Sequence, residues 1–131
     1  MSQTFDFLRE CGVFFVLTVN GNSPAGRPFG AVMEYEGILY FSTAKTKAVY
    51  QQLIENPAMQ LIALKPGTRQ WVRVSGTAVA CETVSLKQRM LDACPALKKR
   101  FPAADGEDFA LFALVNSTSC LHTDNGTERI S

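Results

Sequence analysis

Two segments of this chain are apolar on both faces at strand spacing, and this restricts the available folds more than any other feature. Val13, Phe15 and Leu17 point one way while Phe14 and Val16 point the other. Phe109, Leu111 and Ala113 alternate with Ala110, Phe112 and Leu114 in the same manner. A strand with one wet face would alternate apolar and polar residues. These segments need cover on both sides. One face can line the inside of a small barrel, and the other needs a helix or a second subunit, which predicts a homodimer.

Turn chemistry divides the rest of the chain. A helix is expected over Thr4 to Cys11, ended by Gly12, and then a strand from Val13 to Asn20. Asn20 to Pro24 reads as a turn, Pro28 to Glu34 and Ile38 to Thr43 as strands, and Glu36 with Gly37 as the hairpin between them. Val49, Tyr50, Leu53 and Ile54 recur at helical spacing until Asn56 and Pro57 stop the helix. Met59 to Leu64 and Gln70 to Cys81 are strands, Thr83 to Cys94 a second amphipathic helix, and Ala96 to Phe101 a helical turn. Phe109 to Val115 and Ser119 to Thr123 close the series as strands. The expected fold class is mainly β: an antiparallel barrel of about seven strands with short helices inserted.

With 131 residues, 47% of them hydrophobic, the chain has the size of a single domain (1–131) and enough apolar surface to exclude disorder. Thirteen Lys and Arg against twelve Asp and Glu leave a formal charge of +1, which argues against a nucleic-acid partner. No apolar run, Val13 to Leu17 and Phe109 to Val115 included, is long enough to cross a membrane as a helix. Asp6 and Glu10 occupy a region where a secretory leader would be basic and then apolar, so a cytoplasmic protein is expected. Cys11, Cys81, Cys94 and Cys120 form no C-x-x-C pair and read as reduced thiols. His122 is the only histidine, so no metal site is expected, although haem ligation by that residue stays open.

Chemistry concentrates where a strand passes into the Val49 helix. A helix N-terminus is partially positive, so acids belong there. This one begins with Lys45 and Lys47 and ends with Glu55, the reverse order. An anion bound at that terminus would turn the misplaced charges into a gain. Ser42, Thr43 and Thr46 add hydroxyl donors suited to a phosphate. Two further segments stand out. Arg27, Pro28, Phe29 and Gly30 open the second expected strand: proline belongs at an edge or a first position, and glycine permits close approach to the backbone. Trp71 shares a face with Arg73, Ser75 and Thr77, which fits an interface, the wall of a flat ligand, or cover by the protein's own loops.

In order, the chain carries Arg27 to Phe29 on a strand, a Glu36–Gly37 hairpin, Leu39 to Thr43, and Thr46–Lys47 entering a helix that ends at Asn56–Pro57. An aromatic and hydrophobic strand closing on Ser75–Gly76 follows. This series resembles the FMN-binding split β-barrel proteins related to pyridoxamine 5′-phosphate oxidase, in their small single-domain branch. The resemblance implies an FMN cofactor and a homodimer with its sites at the subunit interface. It implies that Arg27, Thr46 and Lys47 hold the flavin phosphate, with Ser42 and Thr43 nearby. Pro28, Phe29 and Gly30 would border the isoalloxazine ring through main-chain groups, and Trp71 would help close the site. The chain lacks the late Arg-x-His pair of the oxidase itself, since His122 has Cys120 two residues before it. The expectation is therefore an FMN-dependent oxidoreductase of unassigned substrate, with a non-catalytic flavin- or haem-binding module as the alternative.

Overall fold

Phe5, Phe7 and Leu8 bury one side of α1 (Gln3–Cys11). The helix opens on Ser2, whose Oγ accepts from the Phe5 N–H at 3.1 Å, and closes on Gly12 at φ +77°. The structure, a computed structural model, describes all 131 residues. Eight strands follow: β1 (Phe14–Asn20), β2 (Ser23–Phe29), β3 (Met33–Tyr35), β4 (Ile38–Ala44), β5 (Ala58–Leu64), β6 (Trp71–Cys81), β7 (Phe109–Thr123) and β8 (Gly126–Ile130). The helices α2 (Ala48–Glu55) and α3 (Val84–Ala93) interrupt them, and α3 runs on into a 3₁₀ turn, Pro95–Lys99. Every strand pairing is antiparallel, in the order β2-β1-β5-β6-β7-β4-β3 with β8 against β7. The mainly β fold with short helices is the one expected.

The two doubly apolar segments explain the layering. In β1, Phe14 and Val16 are fully buried while Phe15 faces outward. The first half of β7 is buried on both sides: Ala110, Phe112 and Leu114 join the large core with β1, β5, β6 and α2. Phe109, Leu111 and Ala113 join a smaller core under α3 and the 3₁₀ turn. A chain of rings crosses the large core from Phe14 through Phe29 and Phe41 to Phe112, with centroid separations of 6.3, 5.9 and 5.5 Å.

Three boundaries differ from the sequence expectation. The strand expected over Pro28 to Glu34 is two strands, β2 and β3, separated by Gly30 to Val32. Ser23 and Pro24 are already paired with Asn20 and Val19, because the β1–β2 turn is tight around Gly21 at φ +62°. Both prolines are tolerated because β2 is a sheet edge. The two strands expected at the end are one continuous β7, paired with β6 along its length. Between Ser75 and Thr77 of β6 the partner register advances from Thr118 to Val115, so β7 carries an extra residue, and Asn116 there takes φ +51°. The bulge shifts the side-chain alternation of β7, so that Leu121 joins the same core as Phe112 and Leu114. Finally, β8 was not anticipated. Its sequence, Gly126 to Ile130, is polar and mostly exposed, so period-two hydrophobicity does not reveal it.

Candidate functional site

The sheet leaves a cleft where β2 runs into the Gly30–Val32 link and faces the end of β4. Pro28, Phe29 and Gly30 line it together with Ser42, Thr43 and Lys47. The cavity holds about 710 Å³, within the usual range for cofactor and substrate sites. Six of the nine residues singled out in the sequence therefore line one cavity. An added Cβ at Gly30 would meet only the Gly12 carbonyl oxygen, at 3.6 Å, so the backbone there is open to close approach.

The donors are poorly satisfied within the chain. Ser42 is buried at 8% exposure, and its Oγ has no hydrogen-bond partner. A buried hydroxyl without a partner costs about 1–3 kcal/mol, so its persistence against a cavity points to a ligand acceptor. Lys47 is the N-cap residue of α2 and makes no side-chain cap, and the first turn of that helix contains no acid. Lys45, by contrast, lies 3.6 Å from the Glu82 carboxylate, which also pairs with Lys87 Nζ at 3.2 Å. The charge inversion read from the sequence thus resolves into one neutralised lysine and one unpaired lysine.

Three of the singled-out residues do not line the cavity. The Arg27 guanidinium donates to the Val16 carbonyl at 3.1 Å, Thr18 Oγ1 at 2.8 Å and Gln52 Oε1 at 2.7 Å, joining β1 and β2 to α2. No carboxylate pairs with it, and burial alone lowers its pKa from the ordinary value. Thr46 is exposed, with its backbone N–H donating to Asp108 Oδ1 at 3.1 Å. Trp71 lies on another part of the sheet, stacked on His122 with ring centroids 3.9 Å apart and planes 6° apart. His122 Nδ1 contacts Thr127 Oγ1 at 2.9 Å, while its Nε2 is buried without a partner.

The cavity also contains residues that the sequence did not flag. Arg9 enters from α1, Cys94 and Leu97 from the end of α3 and the 3₁₀ turn, and Arg100 and Phe101 from just beyond it. The sequence expectation for this segment reaches only a helix ending at Cys94 and a helical turn over Ala96 to Phe101. Nothing in the spacing shows that this segment folds back over β4. Burial raises the Cys94 thiol pKa from its ordinary value, and its Sγ donates to the Val32 carbonyl at 3.6 Å. All four cysteines are free, and no cluster of three or more His, Cys, Asp or Glu is assembled. No helix is long and apolar enough to cross a membrane.

A sequence model of pyridoxamine 5′-phosphate oxidase matches residues 2–114, which takes in every strand wall of this cleft and the helices that flank it. The chain belongs to the pyridoxamine 5′-phosphate oxidase family. Its fold resembles that of a NimC/NimA family protein from Clostridium acetobutylicum, with 33% identity over 98% of this chain and 90% of that one, at a TM-score of 0.91. General Stress Protein 26 from Bacillus anthracis shares the fold at 17% identity, over 95% of this chain and 94% of that one, with a TM-score of 0.77. A heme binding protein from Mycobacterium smegmatis also shares it at a TM-score of 0.77, with 16% identity over 94% of this chain and 54% of that one. No curated protein matches the sequence. The split-barrel fold is thus shared by proteins of low sequence identity, and the cavity residues have to decide what this chain binds.

Proposed function

We propose that this protein is a homodimeric FMN-binding oxidoreductase. The observation that carries the reading is an unpartnered Ser42 hydroxyl lining the same cavity as Lys47, which has no carboxylate partner and caps a helix with no acid in its first turn. A phosphate accepts from a hydroxyl, from the helix N–H groups and from an ammonium at once. Ser42, Thr43 and Lys47 would hold it, with Thr46 at the turn and Arg27 as a second uncompensated cation on the β2 side. The main chain of Pro28 to Gly30 and the Phe29 ring suit one face of a flat heterocycle. FMN would supply the electron transfer, and the protein's part is to bind it, orient it and exclude water. The cavity lining contains no Asp, Glu or His, so no side chain there is placed for general acid–base work.

The outward face of β1, β5 and β6 supports the dimer. Phe15, Ile62 and Arg73 stand in register across it, Leu64 pairs with Trp71 beside them, and Phe15 and Leu64 are about half exposed. A second copy would cover these side chains and bring Trp71 towards a shared site.

The test is the visible spectrum of the isolated protein and a titration with FMN. Yellow flavin bands, or uptake of one FMN per chain, are expected; colourless protein that takes up no FMN rejects the reading. The second reading, a module that stores or senses haem or flavin, is favoured by the absence of acid–base side chains and by the heme-binding relative. His122 is poorly placed as a haem ligand, because its Nε2 is covered and its ring is stacked on Trp71. Steady oxidation of NADH or NADPH with an electron acceptor would separate the two readings in favour of the enzyme.

A further inference from the structure

We infer that the cavity also takes a small planar substrate bearing a carboxylate, and that Arg9 is the residue that holds this group. The inference rests on the flavin reading, which assigns Lys47 to the cofactor. The lining carries three cations from three parts of the chain, Arg9, Lys47 and Arg100, and no carboxylate. This is uneven for a protein with thirteen basic and twelve acidic residues. Arg100 is neutralised by Asp108, 2.8 Å away. Arg9 has no ion pair and no hydrogen bond; its guanidinium meets only the Phe5 ring, 5.6 Å from the centroid.

Its neighbours leave it without an anion. Glu10, the next residue, pairs with Lys65 at 3.0 Å. The Cys94 thiol beside it is held by the Val32 carbonyl and stays protonated near neutral pH, since burial raises its pKa. A cation in the last turn of α1 is favoured by the helix dipole, which accounts for a basic residue at this position. The dipole does not account for a cavity lining that sets apolar Val32, Ala93, Leu97 and Phe101 beside the arginine and contains no acid. Apolar surface with one unpaired guanidinium fits a flat body with one anionic end, because Arg offers a planar fork of donors matched to a carboxylate.

The experiment uses FMN-loaded protein titrated with benzoate and with its neutral isostere benzamide, followed by the flavin absorption band and by calorimetry. Benzoate should bind at least about tenfold more tightly than benzamide. Arg9→Gln should remove that preference while FMN affinity stays within about threefold, and Arg9→Lys should restore part of it. Equal binding of the two probes, or a preference unchanged in Arg9→Gln, overturns the inference and leaves the flavin reading standing. Failure to load FMN at all overturns both.

Discussion

Lys45 and Lys47 stand two residues apart in opposite surroundings: the Lys45 ammonium lies 3.6 Å from Glu82, whereas Lys47 lines the cavity and has no carboxylate partner. Their substitutions should separate accordingly. Lys47→Ala should weaken FMN binding by about ten- to hundredfold, the effect of losing a charge-assisted contact of roughly 1.5–3 kcal/mol. Lys45→Ala should change it by less than about threefold, since the exposed pair with Glu82 is worth little. Fluorescence titration of FMN against both variants checks this.

Ser42→Ala should act in two directions. Without a ligand, the substitution removes a buried hydroxyl that has no partner, so the midpoint of urea unfolding should hold or rise, by at most about 1 kcal/mol. With FMN present the variant should lose affinity and gain less stabilisation from the cofactor. Unfolding curves with and without FMN give both signs in one experiment.

Glu82 accepts a hydrogen bond from the buried Lys87 ammonium, which holds its carboxyl below the ordinary value near 4.5. Lys87 also donates to the Phe109 carbonyl at 3.1 Å, so it ties α3 to the start of β7 beside the cavity. A lowered carboxyl pKa stabilises the fold fully above the ordinary value, and that contribution is lost as pH falls through the folded-state value. Glu82→Gln should therefore be less stable than the parent protein at neutral pH, and the difference should fade as pH falls below the ordinary value near 4.5 and through the lower folded-state value. Thermal midpoints measured across that range check the convergence.

Gly76 and Gly26 offer a contrast in packing. A Cβ at Gly76 would lie 2.8 Å from Leu114 Cδ1 and 3.0 Å from the Val115 carbonyl oxygen, one a core side chain and the other backbone. A Cβ at Gly26 would meet Leu17 Cδ2 at 2.8 Å, but Leu17 is only half-buried and its tip can swing away. Gly76→Ala should cost about 1–3 kcal/mol and Gly26→Ala well under 1 kcal/mol. Denaturant midpoints for the two variants decide this.

Most strands of this protein, though not β8, are legible in its sequence because period-two hydrophobicity is a local property. Phe14 and Val16 against Phe15, or Phe112 against Leu111, can be sorted onto faces without knowing what covers them. The reversed charge order at α2 is equally local, and with the Pro28–Gly30 signal it marks one side of the cleft. The other features depend on residues far apart in the chain. The bulge at Asn116 follows from the pairing of β7 with β6, and no residue near Asn116 announces that Leu121 must return to the core. The salt bridge that removes Lys45 from the site comes from Glu82, beyond two further strands. The hydrogen bonds that Arg27 donates to Thr18 and Gln52 join residues far apart in the chain. Arg9, Cys94 and Arg100 reach the cavity only because α1 and the segment that ends α3 and follows it both fold back to it. Sequence periodicity decides which way a side chain points from its own backbone. Which group it meets there is decided by chain closure over long separations, and only the tertiary structure shows that.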